Sequence, residues 1–288
     1  MVIYNPKDWL KLIFQFHRSD TFRMLIPGMI GVGIYCFIVV YIEIEIYALE
    51  YKSTPLLHSI LGFVISMLLV FRTNTAYERW WEGRKIWGAL VNCSRNFALK
   101  IDAMIPDNQF VVKNYVRVVV GNFVTALKEH LRDGTKLEEL EETTNQPLSK
   151  SGHVPNQLIG SLMKEINKAY KTGVISGDQL IVLNNELTAF TDITGACERI
   201  KKTPIPYSYS LFIKKFIFIY VMTMPFGFVN DFRYWTVLVV VFTFYVLVSL
   251  ELIAEEIEDP FGKDANDLPT DDIVATIKRN LDEILPNK

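Results

Sequence analysis

The sequence predicts an all-α membrane protein with four transmembrane helices and a large cytosolic helical region. Three observations predict it. Half of the 288 residues are hydrophobic and 22% are charged, yet mean hydropathy is +0.20, so the apolar residues are bunched into blocks. Four blocks carry no charge: Met24–Ile42, Pro55–Phe71, Phe216–Val229 and Tyr234–Leu250. The long stretch between the second and third repeats its apolar residues at helical spacing, and no run alternates as a half-buried strand would.

Residues 1–23 read as a cytosolic amphipathic helix, with Trp9, Leu10, Leu12, Ile13 and Phe16 on one side. Asp8 and Asp20 interrupt it, which argues against a signal peptide. A membrane core about 30 Å thick needs about twenty helical residues, or about seventeen at the short end. Residues 24–42 and 55–71 therefore make the first two spans, and the second continues without proline to about residue 105. Residues 106–206 form a cytosolic helical domain. Phe110, Val111, Tyr115, Val118, Val119, Asn122, Phe123 and Ala126 mark its first helix. A polar loop, 134–155, surrounds a short acidic helix, Leu137 to Glu142. Leu158, Leu162, Ile166 and Ala169 mark the second helix. Ser176 with Gln179 has the form of a capping box and opens a third helix through Ile200. Thr203-Pro204-Ile205-Pro206 ends it, because proline cannot continue a helix. The third span, 211–229, is long enough only if Lys214 and Lys215 snorkel to the interface. The fourth is 234–250, and 251–288 is an acidic cytosolic segment.

Charge sets the orientation. Lys7, Lys11, Arg18 and Arg23 precede the first span, and Arg72, Arg79, Arg84, Lys85, Arg95 and Lys100 follow the second. The first connector carries Lys52 against Glu43, Glu45 and Glu50. The positive-inside rule then places both termini of this multi-pass protein in the cytoplasm. Trp9, Tyr234 and Trp235 fall where interfacial aromatics belong. The net charge of -2 argues against nucleic acid as a partner. Cys36, Cys93 and Cys197 form no metal or redox pattern and read as small buried hydrophobes. Gly28, Gly31 and Gly33 read as packing glycines of the first span. His17, His58, His130 and His153 are scattered, and His58 reads as an interfacial residue.

No hydrolase, P-loop or zinc-protease motif occurs. Two features bear on function. Leu56, Ile60, Val64 and Leu68 lie at i, i+4, i+8 and i+12, on one face of a helix. Such a row packs against lipid or core, or forms a constriction that gates a pore by dewetting. The segment from Glu251 to Asp272 holds nine acids against Lys263. It reads as a solvated face or as an oxygen-ligand site for a hard cation, and it lacks EF-hand spacing.

Three motifs together resemble the bestrophin family, over nearly the whole chain. They are Glu255-Glu256-Ile257-Glu258-Asp259-Pro260-Phe261-Gly262 followed by Asp264 and Asn266-Asp267-Leu268-Pro269; Phe71-Arg72-Thr73-Asn74-Thr75-Ala76-Tyr77-Glu78-Arg79-Trp80 followed by Trp87-Gly88; and Cys197-Glu198-Arg199-Ile200 followed by Thr203-Pro204-Ile205-Pro206. The resemblance is to a bacterial member. It implies a homopentameric channel in the lipid bilayer, with an axial pore for monovalent ions. It places the neck on Ile60, Val64 and Leu68, with Leu56 above them. It places the cytosolic aperture on Asp178, where the family carries an aliphatic residue. It also implies a calcium clasp from the side chains of Asp264 and Asp267, the carbonyls of Glu256 and Asp259, and that of Val2, although bacterial members often do not respond to calcium.

The function expected is passive ion conduction that requires no cofactor. Rings of Glu43, Glu45, Glu50 and Asp178 would favour sodium and potassium. An anion (chloride) channel of the same family is the alternative. In another class, a membrane-bound metal-dependent enzyme would use the acidic C-terminal cluster.

Overall fold

The computed structural model describes residues 20–47, 56–142, 148–149 and 152–286, and no strand occurs among them. Most of the expected N-terminal amphipathic helix, with Val2, lies outside the described residues, as do His17, Glu50 and Lys52. The helices are α1 (Asp20–Tyr41), extended by a π-helical turn (Ile42–Tyr47), α2 (Leu56–Met104), α3 (Phe110–Leu131), α4 (Val154–Lys171), α5 (Gly177–Lys202), α6 (Tyr207–Phe232), α7 (Trp235–Glu258) and α8 (Thr270–Ile284). They form two compact units, Val2–Arg79 with Pro204–Glu258, and Trp80–Thr203 with Asp259–Lys288. The boundary between Arg79 and Trp80 falls inside α2.

The first unit is the membrane part. Met24, Ile34, Phe218, Leu238 and Phe242 are each more than half exposed, a surface that only lipid or another protein can cover without a hydration cost. Inside it, Val32, Cys36 and Val40 of α1 pack with Ile65 and Leu69 of α2, Val221 of α6 and Val240 of α7. The glycine reading holds unevenly. A Cβ on Gly28 would lie 3.0 Å from the Phe244 ring and one on Gly33 3.4 Å from Val241, whereas Gly31 faces open space. Two further glycines bring α2 and α6 together. A Cβ on Gly62 would lie 2.7 Å from the Tyr220 hydroxyl, and one on Gly227 2.7 Å from the His58 ring. His58 is thus seated against α6, with Nε2 3.3 Å from the Thr223 hydroxyl.

The second unit is a helical bundle around Trp87, Phe97, Val119, Phe123, Leu162 and Phe190. Each such fully buried large side chain contributes about 1.5–3 kcal/mol against exposure. Asp107–Leu131 is also long and apolar enough to cross a membrane, but 61% of its apolar window is buried in protein, against 22% for the windows at α1 and α7. It is core because α4, α5 and α8 all pack on α3. Val119, Asn122, Phe123 and Ala126 are buried as expected, and the wrapping widens that face. Val111 is exposed, while Val116, Val120, Val124 and Leu127 are buried. The Ser176–Gln179 capping box forms in both directions, at 3.2 and 2.8 Å. The expected acidic helix is only a 3-10 turn, Leu137–Glu139. Its end is held by buried Asn122, which donates to the Glu141 carbonyl and accepts from the Glu141 N–H, so the chain bonds to a side chain instead of to its own next turn. Cys36, Cys93 and Cys197 are all buried and free.

Candidate functional site

Helix α2 runs for 49 residues with no proline. Ile65, Leu69, Arg72 and Ala76 form its buried stripe. Leu56, Ile60 and Val64 stand on an uncovered face, while Leu68 is partly covered by the core of its own unit. The row therefore presents three exposed apolar side chains and a fourth that supports the packing. The Leu68 carbonyl accepts from the Tyr209 hydroxyl at 3.3 Å, which ties the base of the row to α6.

Below the row, Arg72 is 1% exposed. Its guanidinium lies 2.7 Å from Glu258 and 3.6 Å from Glu251. Glu258 also accepts from the Ile205 N–H at 2.6 Å, and its own carbonyl accepts from Arg79 Nε at 3.2 Å. Two carboxylates of the acidic segment, expected to be solvated or cation-binding, are thus partners of the α2 arginine. A buried charge left alone would be strongly destabilising, so these groups stand or fall together. Among the remaining basic residues of α2, Lys100 pairs with Glu186 at 2.7 Å, whereas Arg84, Lys85 and Arg95 are exposed.

The acids expected to form rings lie on different elements. Glu43 and Glu45 lie in the π-helical turn, and Glu45 accepts from the Tyr234 hydroxyl at 3.0 Å. Asp178 is exposed in the first turn of α5, a position that the helix dipole favours for an acid. Ile181 and Val182, one turn on, are exposed as well.

Two of the residues expected in the calcium clasp have side-chain partners within the protein. Asp267 is buried, and its Oδ2 accepts from the Asp264 N–H at 2.7 Å. Asp259 pairs with Lys201 at 2.5 Å, and Glu256 lies in the last turn of α7. Among the described residues, no group of three acids or histidines converges there. The turn is closely packed. Phe261 is buried, a Cβ on Gly83 would meet Pro260, Phe261 and Leu268 at 3.2 Å, and Trp80 donates to the Asn266 carbonyl at 3.0 Å.

One cluster escaped the sequence reading. His130, His153 and Glu198, from three different elements, converge. Both imidazole Nε2 atoms lie on one carboxylate oxygen, at 2.7 and 2.8 Å. Burial alone would raise the Glu198 carboxyl, but the hydrogen bonds from His153 and His130, with the nearby charge of Lys202, hold it down at about 2. No local spacing could reveal the cluster, because its members are 23 or more positions apart. The only sequence signal was Glu198 inside the Cys197–Ile200 motif.

A family model described as bacterial/fungal bestrophin protein matches residues 1–283. A voltage-dependent anion channel-forming protein of Nostoc sp. is 35% identical, over 96% of this chain and 92% of that protein. Another of that name from Synechocystis sp. is 33% identical, over 98% and 93%. Among solved structures, a bacterial bestrophin homologue from Klebsiella pneumoniae superposes with a TM-score of 0.84 at 27% identity, over 92% of this chain and 99% of that one.

Proposed function

This chain belongs to the bacterial/fungal bestrophin family, and from that premise we propose that it conducts monovalent ions across the membrane as a homopentamer. It is a channel rather than an enzyme. The observation that carries the proposal is the row Leu56, Ile60 and Val64, apolar and uncovered on a helix that the rest of its unit holds by one stripe. Five copies around an axis would turn each position into an apolar ring that restricts flow when narrow. Leu68 would form the lowest ring.

The proposed selectivity is for sodium and potassium. Exposed Asp178 and the acids of the first connector would form negative rings that concentrate cations. Part of the opposing basic charge is engaged within the protein, since Arg72 pairs with Glu258 and Lys100 with Glu186. A second reading, an anion channel, is favoured by the names of the relatives and by exposed Arg84, Lys85 and Arg95. The reversal potential in asymmetric NaCl decides between them. A cation channel reverses near the sodium potential, and Asp178→Lys shifts it toward that of chloride. Reversal of the unaltered protein at the chloride potential would leave only the anion reading. Conduction is proposed to need no cofactor, so chelating calcium should leave the current unchanged. Both termini are proposed to lie on the cytoplasmic side of the plasma membrane.

A further inference from the structure

We propose that His130, His153 and Glu198 form a binding site for a zinc-class divalent transition metal. His130 stands in the last turn of α3, His153 is the residue that caps α4, and Glu198 lies near the end of α5. All three belong to the same compact unit. Their ligand atoms lie within 4.8 Å of one another, and the two imidazole rings are 4.4 Å apart at 53°.

Two neutral imidazole nitrogens and a carboxylate oxygen make a borderline-soft donor set, suited to zinc, cobalt or nickel. Calcium and magnesium require oxygen ligands and are poorly served here. A tetrahedral zinc with bonds of about 2.0–2.1 Å separates its ligand atoms by about 3.3 Å. The nitrogens now stand 2.7 and 2.8 Å from the carboxylate oxygen. Admitting the ion therefore takes an opening of about half an ångström. The side chains are 21–29% exposed, which lets an ion and its waters enter. Glu198 also borders a cleft of about 290 Å³ with Asn156, Met163, Thr194 and Gly195. Three protein ligands leave a fourth position for water from that cleft.

Two groups oppose the metal. Lys202 Nζ lies 3.6 Å from the same carboxylate oxygen, but its side chain is 69% exposed and free to swing into solvent. His153 Nδ1 accepts the Asn156 N–H at 3.2 Å. With Nε2 on the metal, a neutral ring must carry its proton on Nδ1. That tautomer cannot accept the Asn156 N–H, so the cap contact is lost.

The test uses the full chain in detergent, stripped with EDTA and titrated with cobalt(II) chloride. The expected result is one equivalent per chain, with the intense visible bands of low-coordinate cobalt, displaced by zinc but not by a large excess of calcium. Glu198→Gln and His130→Asn should each weaken binding by more than about a hundredfold, beyond the 10–100-fold that loss of an outer-shell partner produces. Unchanged affinity in both variants, at unchanged monodispersity, would overturn the proposal. If the variants fail to fold, the unaltered protein still decides. Zinc should raise its melting temperature where equimolar calcium does not, and no difference between the two ions would overturn the site. The proposal stands independently of what the channel conducts.

Discussion

Arg132 lies just past the end of α3, its side chain 7% exposed, and directs its whole guanidinium fork at one turn. Nε donates to the carbonyls of Phe261 and Gly262 at 3.3 and 3.2 Å. Nη2 donates to the Thr270 hydroxyl at 2.9 Å and to Asp271 at 2.8 Å, and Nη1 reaches the other Asp271 oxygen at 3.2 Å. A lysine cannot copy this planar arrangement. The hydrogen bond from Arg132 holds the Asp271 carboxyl well below the usual range, against the opposing effect of burial and with help from Lys128. A carboxylate depressed in the folded state stabilises fully above its unfolded value of about 3.9, and that stabilisation is lost as pH falls toward the folded value. Glu198 acts with the same sign. Asp271→Asn should therefore flatten the loss of thermal stability between about pH 5 and pH 2 without abolishing it. Because Asp271 is 62% exposed, the cost near neutral pH should stay at or below about 1 kcal/mol. Melting temperatures measured across that range check this, and an unaltered acid limb would refute it.

At the scale of elements, α2 is held by close approach rather than by bulk. At Gly62 an added methyl would meet a phenol oxygen on a rigid ring at 2.7 Å. Gly62→Ala should cost about 1–3 kcal/mol, the usual penalty for overpacking. Adding Tyr220→Phe removes the atom that would be struck, so the double variant should recover most of that loss. A double variant no more stable than Gly62→Ala would place the constraint elsewhere. The apolar row makes a separate claim about flow. Replacing Ile60, Val64 and Leu68 by alanine should raise single-channel conductance, because wider rings hold water. Since Leu68 is partly covered by its own core, that substitution also removes packing, and Ile60→Ala with Val64→Ala alone gives the cleaner reading. Unchanged current at equal incorporation would put the restriction outside the neck.

At the scale of the whole molecule, one protomer leaves Leu57, Phe63, Met67 and Val70 of α2 exposed in addition to the row. A helix covered on a single stripe needs lipid, a pore or other copies around the rest of it. The proposed homopentamer should appear in mild detergent extracts as a species near five times 33.2 kDa, measured by light scattering with the detergent contribution subtracted. A purely monomeric protein would contradict the pentamer.

Block composition alone determined the all-helical class and the membrane blocks, because a bilayer demands long apolar helices whatever packs around them. Local chemistry also determined how α5 starts and stops, since the Ser176–Gln179 cap and the Thr203–Pro206 terminator act over a few residues. Tertiary structure decided the rest. It decided how far around α3 the burial extends, because three other helices wrap it. It made Glu258 the partner of Arg72, and it gathered His130, His153 and Glu198 from three elements around one oxygen. Such contacts join residues far apart in the chain, and helical periodicity carries information only over neighbouring turns.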